Sequence, residues 1–263
     1  MIRIDFLGTG NAFTPSGRLH ALTLIDGKIL IDTPPTIITQ LRRKGMKTTE
    51  IKHLLFTHWH ADHTFGFPFF MLERKYISDP LQESELSIYL RPGGKEKLST
   101  LCTAGFPGSL EEIEDMAKWY NQEKIEILGT DWVFERFPVC HTPETDPHGY
   151  ELTHKSGIKI LHCGDSGPCS EIENRAKSAD VVILEMGMPD IGNFPYHYTP
   201  SDVVRFSNDF PKCLVLITHN YASSKNISEG FQTPELPKEV YQLEDGDAIE
   251  INQLGEIIII TND

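Results

Sequence analysis

The chain has 263 residues, 39% of them hydrophobic and 24% charged, enough to bury the core of one large domain. Its net charge of −14 weighs against a broad, non-specific grip on nucleic acid, because neutralising phosphates supplies most of that affinity. The longest apolar run falls far short of the roughly 20 residues that cross a bilayer, so the expectation is one cytoplasmic domain over 1–263 with no membrane partner.

Residues 2–7 alternate as a strand does, and the start of the chain lacks the long apolar stretch of a signal peptide. Gly8-Thr9-Gly10-Asn11 follows as a turn, too short a glycine signal to imply phosphate binding by itself. Ala21 to Ile25 and Lys28 to Asp32 predict a hairpin around Asp26-Gly27. Asp32 then stands where it caps the next helix or supports a neighbouring loop through a hydrogen bond. A helix is predicted over 35–44, stopped by Gly45, and a strand over 51–57.

That strand runs into His58-Trp59-His60-Ala61-Asp62-His63, three imidazoles and a carboxylate in six positions. Such donors suit a zinc-type cation, and alternate residues leaving a strand end allow His58 and His60 to face one point while Asp62 and His63 face a second. The apolar stretch 64–72 predicts a helix behind them, followed by a strand over 86–90 and a helix over 95–102. Ser109-Leu110-Glu111-Glu112 has the form of a capping box and predicts a helix running toward Tyr120.

In the second half, strand after strand ends on a histidine or an acid. The strand 132–139 delivers His141, the hairpin 149–154 and 158–162 delivers Asp165, the strand 180–184 ends at Glu185, and the strand 213–217 leads to His219. Helices are predicted over 171–177 and 202–210, the second capped by Thr199 or Ser201, with His197 in the loop before it. Strands 248–251 and 257–261 close the chain, and 223–238 is its loosest stretch. The five cysteines, Cys102, Cys140, Cys163, Cys169 and Cys213, are odd in number without C-x-x-C spacing, which predicts packed, reduced thiols. His20 and His148, both in predicted loops, are the unassigned histidines expected to approach a substrate.

The run H-x-H-x-D-H, with the later strand-end His, the G-D after a hairpin, the last strand-end His and the terminal strand pair, resembles the metallo-β-lactamase superfamily along essentially the whole chain. The resemblance implies an α/β fold, a four-layer αβ/βα sandwich of two mixed sheets flanked by helices. It assigns His58, His60 and His141 to one metal, Asp62, His63 and His219 to a second, and Asp165 as the bridge. Two divalent ions, zinc by donor type with manganese, iron or nickel as alternatives, would outweigh the two carboxylates and leave about two positive charges for an anionic substrate.

Within the superfamily, Tyr196-His197-Tyr198-Thr199 after Glu185 is similar to the ribonuclease Z-like phosphodiesterases, in which an acid orients an extra histidine toward the phosphate or the leaving alkoxide. The sequence has no long glycine- and proline-rich arm of the kind that grips transfer RNA, and so is closest to the compact cyclic-phosphodiesterase branch. The resulting expectation is a phosphodiesterase for a small or cyclic phosphodiester or a nucleotide end, with His197, Glu185 and Asp62 catalytic and RNA disfavoured. Transfer-RNA 3′ processing, or hydrolysis of an ester, thioester or lactone polarised by Tyr196, Tyr198 or Tyr221, are the alternatives. A homodimer is implied by the same analogy.

Overall fold

The structure, a computed structural model, describes residues 1–232 and 234–262; Thr233, within the loose 223–238 stretch, and Asp263 lie outside the described residues. Among these, the first sheet contains β1 (Ile2–Gly8), β2 (Leu22–Ile25), β3 (Ile29–Ile31), β4 (His53–Leu55), β5 (Ser87–Tyr89) and β6 (Lys118–Tyr120). The second contains β7 (Lys124–Glu126), β8 (Trp132–Pro138), β9 (His148–His154), β10 (Lys159–His162), β11 (Val181–Met186), β12 (Leu214–Asn220) and β13 (Val240–Gln242). The chain returns to the first sheet with β14 (Ala248–Ile251) and β15 (Ile257–Ile260). The strand orders are β15-β14-β1-β2-β3-β4-β5-β6 and β13-β12-β11-β10-β9-β8-β7.

Period-two side-chain alternation builds the layers. Ile29 and Ile31 of β3 face the second sheet while Leu30 faces helices, and on β11 Val181 and Ile183 face the first sheet while Val182 and Leu184 face outward. Phe134, Tyr150, Leu152 and Leu216 meet Ile4, Phe6, Leu55 and Ile249 between the sheets. On the outer face of the first sheet lie α1 (Ile37–Arg43), α3 (Phe67–Glu73), which follows the single turn α2 (Ala61–Thr64), and α4 (Gly94–Gly105). On the outer face of the second lie α5 (Ser170–Ala176) and α6 (Pro200–Asp209). Because helices cover one face and the first sheet the other, β11 and β12 begin as nearly continuous apolar runs. This is the expected αβ/βα sandwich. Among the described residues no helix is long and apolar enough to cross a membrane.

Strand direction places the site. Strands β9 and β10, and β8 and β9, pair antiparallel, whereas β10, β11 and β12 pair in parallel, so β8, β10, β11 and β12 all point the same way. Their C-terminal ends therefore emerge along one edge, carrying His141, Asp165, Glu185 and His219.

One predicted element is corrected. Instead of a helix from Ser109 toward Tyr120, the chain makes a short 3₁₀ turn at Ile113–Asp115 and then β6, which pairs in parallel with β5. Leu110 and Ile113 are buried against α4's side of the sheet, Glu111 bonds the Gly108 amide, and Trp119 Nε1 donates to Glu114 O at 2.8 Å. Edge pairing and the Trp119 bond outweigh the local helix signal. Strand β13 was not predicted, having only three residues after the loose stretch.

Phe134 is fully buried between the sheets, in edge-to-face contact with Tyr89 and Tyr150. Phe134→Ala is expected to lower the unfolding free energy by about 3–5 kcal/mol. Urea unfolding checks this, and a loss under about 1 kcal/mol would contradict the packing described.

Candidate metal centre

After β4 the backbone carries His58, then His60 as the residue preceding α2, so that the helical turn throws Asp62 and His63 to the other side. The remaining donors come from the strand ends of the second sheet. His219 is there because β11 and β12 slip register: Glu185 pairs with Thr218 and Met186 with Asn220, leaving His219 as a bulged residue at φ 45°. Bulges re-aim a side chain at the cost of local strain.

The predicted ligands form two clusters, beside a third group of Glu185, His197 and His219. His58, His60, His141 and Asp165 form one, and Asp62, His63, Asp165 and His219 the other, with the donor atoms of each within 4.8 Å of one another. All seven predicted ligands thus come together, with Asp165 common to both. In the first cluster, His60 Nδ1 lies 3.1 Å from His58 Nε2 and 3.0 Å from His141 Nε2. Donors around a tetrahedral ion at zinc–nitrogen distances sit roughly 3.3 Å apart, so the spacing suits an ion at the centre. In the second, Asp62 Oδ2 is 3.3 Å from both His63 Nε2 and His219 Nε2, and Asp165 is 3.4 Å and 3.2 Å from the same two nitrogens.

The far side of each ring shows which nitrogen is left to bind. His141 Nδ1 donates to Tyr196 O at 3.0 Å, His58 Nδ1 to Thr57 Oγ1 at 3.1 Å and His63 Nδ1 to Asp32 Oδ2 at 2.8 Å. Each Nε2 therefore carries a lone pair directed into the clusters. His63 Nε2 is buried and has no hydrogen-bond partner, an orphaned acceptor facing two carboxylates. That arrangement calls for positive charge between the ring and the carboxylates, a proton or a metal ion.

Burial pushes His58 well down and His141 to about 4, keeping both neutral, the form in which an imidazole can bind a cation. Burial also opposes charge on His63 and His219, but Asp165 and Asp62 outweigh it and raise both. Conversely, burial raises Asp62 and Asp165 while the facing imidazoles more than offset it and hold both below the usual carboxylate range.

Glu185 and His197 sit beside the second cluster. Glu185 Oε1 accepts from His197 Nδ1 at 2.7 Å and from Ser166 N at 3.0 Å, and Oε2 accepts from Gly187 N at 2.5 Å. The His197 ring lies 5.0 Å from that of His141 and stacks at 6.1 Å, nearly parallel, on that of His219. Burial lowers His197, but the Glu185 carboxylate outweighs it and the pKa rises to about 9. A side chain at Gly187 would force the pair to shift, since a Cβ there would stand 2.5 Å from Glu185 Oε2 and 2.8 Å from His197 Nδ1.

Of the two roles open to Asp32 in the sequence, the loop-supporting one is realised. Besides His63, it accepts from Thr57 N at 2.8 Å and Thr57 Oγ1 at 2.7 Å. His148 does not approach the open side, being buried between Asp146 O and Tyr150 Oη. His20 is half-buried, 3.2 Å from Thr36 Oγ1. Cysteines 102, 163, 169 and 213 are buried as expected, but Cys140 is exposed; all five are free. Sequence reasoning missed Thr57, Ser166 and the Tyr196 carbonyl. Thr57 was visible as the hydroxyl next to His58, whereas a backbone carbonyl leaves no residue signal.

A four-layer sandwich with clustered His and Asp donors at one sheet edge defines a metallo-β-lactamase fold with groups suited to metal binding. The family described as the Beta-lactamase superfamily domain matches residues 28–220, and the chain belongs to that family. It is similar to Ribonuclease Z of Pyrobaculum islandicum, 22% identical over 95% of this chain and 99% of the relative. Among solved structures it resembles a diphosphatase from the PhnP family (TM-score 0.68, 21% identity, 96% of this chain and 98% of the other). The short form of human tRNase Z gives a TM-score of 0.70 at 19% identity, over 95% of this chain and 99% of the other.

Asp32→Asn keeps a side chain compatible with the local φ of 68° but turns a carboxylate toward an amide at His63 Nδ1. Zinc titration with a competing chelator is expected to show binding weakened about 10- to 100-fold. Unchanged affinity would mean that Asp32 does not orient His63.

Proposed function

We propose that the protein is a dinuclear metal-dependent phosphodiesterase acting on a small or cyclic phosphodiester or a nucleotide end. The observation that carries this reading is the His197–Glu185 pair, bonded at 2.7 Å and set against the rings of both His141 and His219. Two divalent cations, zinc by donor type, held by His58, His60, His141, Asp62, His63, His219 and the shared Asp165, would supply Lewis acidity toward phosphate oxygens and a hydroxide nucleophile.

The chain's own residues do the rest. Glu185 keeps the Nδ1 proton of His197 engaged and stabilises the imidazolium, leaving Nε2–H to face the phosphate and protonate the departing alkoxide. Ser166 N and Gly187 N, both bonded to Glu185, hold that carboxylate in place. Asp62, ionised and at the edge of the second cluster, takes up the proton lost by the attacking water.

The relatives named Ribonuclease Z support a phosphorus centre, and they favour RNA as a second reading. Against a long polyanion stands the net charge of −14. A small diester asks only for the local positive charge of the metals.

His197→Ala is expected to retain full metal content by elemental analysis while kcat on bis(p-nitrophenyl) phosphate falls about 10²-fold or more. The loss should be larger for diesters with alkyl leaving groups, which need the proton more. A metal-replete variant with undiminished activity would sink the assignment, and parallel panels of lactones, thioesters and precursor transfer RNA test the alternatives.

A further inference from the structure

A cavity of about 360 Å³ opens beside the His197–Glu185 pair, within the size range of small-molecule sites. Gly187 belongs to both: it packs against the pair on one side and lines the cavity on the other. Its carbonyl accepts from Asn11 Nδ2 at 3.0 Å, and Asn11 Oδ1 accepts from Phe13 N at 3.0 Å, so one buried amide ties the cavity's floor to one of its walls.

The walls are apolar and aromatic. Phe13 is 74% exposed and Phe231 55%, and Tyr221 meets Phe231 edge-to-face at 5.6 Å. Backbone bonds from Tyr221 N to Met186 O at 3.0 Å and from Ser223 N to Phe231 O at 2.8 Å tie down the segments that carry Tyr221 and Phe231. Pro15, Met188 and Pro189 add apolar surface, Thr14, Ser16 and Ser223 add neutral hydroxyls, and among the described lining residues none is Lys, Arg, Asp or Glu.

A neutral, flat-walled cavity next to a cationic site separates two parts of one ligand: the phosphate is drawn to the metals and an uncharged planar group fills the cavity. Aliphatic groups gain burial there, but only a flat ring gains stacking on exposed aromatic faces as well. The cavity also lies on the His197 side, where the departing alcohol must be.

We propose that this cavity is a nucleobase site and that the alcohol released is a nucleoside, so the substrate is a nucleoside phosphodiester. This rests on the phosphodiesterase reading above. Water is consumed, its oxygen bonds to phosphorus, and the bond from phosphorus to the nucleoside oxygen breaks. The nucleoside leaves as a neutral alcohol with the proton from His197, and the proton that Asp62 takes from the water is passed on to restore the imidazolium.

The test compares 2′-deoxyadenosine 3′-methyl phosphate with its abasic analogue, in which hydrogen replaces the base, for the wild type, Phe13→Ala/Phe231→Ala and, as control, Phe69→Ala on α3. Calorimetry with the zinc-loaded proteins measures binding of 2′-deoxyadenosine 3′-phosphate and its abasic counterpart independently of turnover. The wild type and the control are expected to favour the base-bearing compounds by roughly 10-fold or more in kcat/KM and in affinity, and the double variant to lose most of that ratio. Equal handling of both compounds by the wild type, or an intact preference in the double variant, overturns the base site. A calorimetric preference that the double variant loses, with no diester turned over, keeps the base site and overturns the phosphodiesterase reading instead.

Discussion

Seven imidazole and carboxylate donors crowd one sheet edge, several within 3.0–3.4 Å of each other, and their mutual repulsion is the constraint on which everything else depends. Lone pairs and carboxylates at that spacing are unfavourable in a buried place unless protons or cations stand between them. The directions of the titration shifts express this: His63 and His219 are raised against their burial, and Asp62 and Asp165 are lowered against theirs. Cations remove the conflict, so the protein can keep donors where an apolar core would be more stable.

Holding such a cluster open requires bonds from outside it. The loops bearing His141 and Asp165 are stitched together by Gly167 N to Cys140 O at 2.8 Å and Cys140 N to Ser166 Oγ at 3.0 Å. Ser166 also donates its amide to Glu185, so the carboxylate that orients His197 is tied to the loop that carries Asp165. Asp32 does the equivalent for the histidine loop, fixing Thr57 and His63 at once. Each of these bonds ends on a neighbour of a donor rather than on open solvent, which is why small displacements of the sheets would reach both clusters.

Much of this was legible in the sequence because the informative residues are local to their elements. His58 to His63 are contiguous, and His141, Asp165 and His219 each follow an apolar run long enough to read as a strand. Layer order followed from the same runs, since strands without alternation need cover on both faces. What could not be read depends on pairing between distant segments. The capping box at Ser109 lost to edge pairing of Trp119 with Ile88, and the bulge that turns His219 inward exists only as a register slip against β11. His148 reads as a loop residue but begins β9, where Tyr150 and Asp146 enclose it.

On the proposed reading, the two halves of the site would divide the work of recognition by charge. A protein with a net charge of −14 repels polyanions at long range, yet with two divalent cations bound a phosphate within a few ångströms of the clusters would meet an excess of positive charge. Screening in physiological salt shortens the reach of both fields to about 8 Å, so one phosphate in contact feels the cations while its distant neighbours along a chain feel the acidic surface. Beside the cations, the uncharged aromatic cavity neither attracts nor repels phosphate, and it can discriminate only by the shape and stacking of the organic group. On the proposed reading, affinity for the reacting phosphate and choice of the group attached to it rest on different residues. Gly187, touching both, fixes the distance between them.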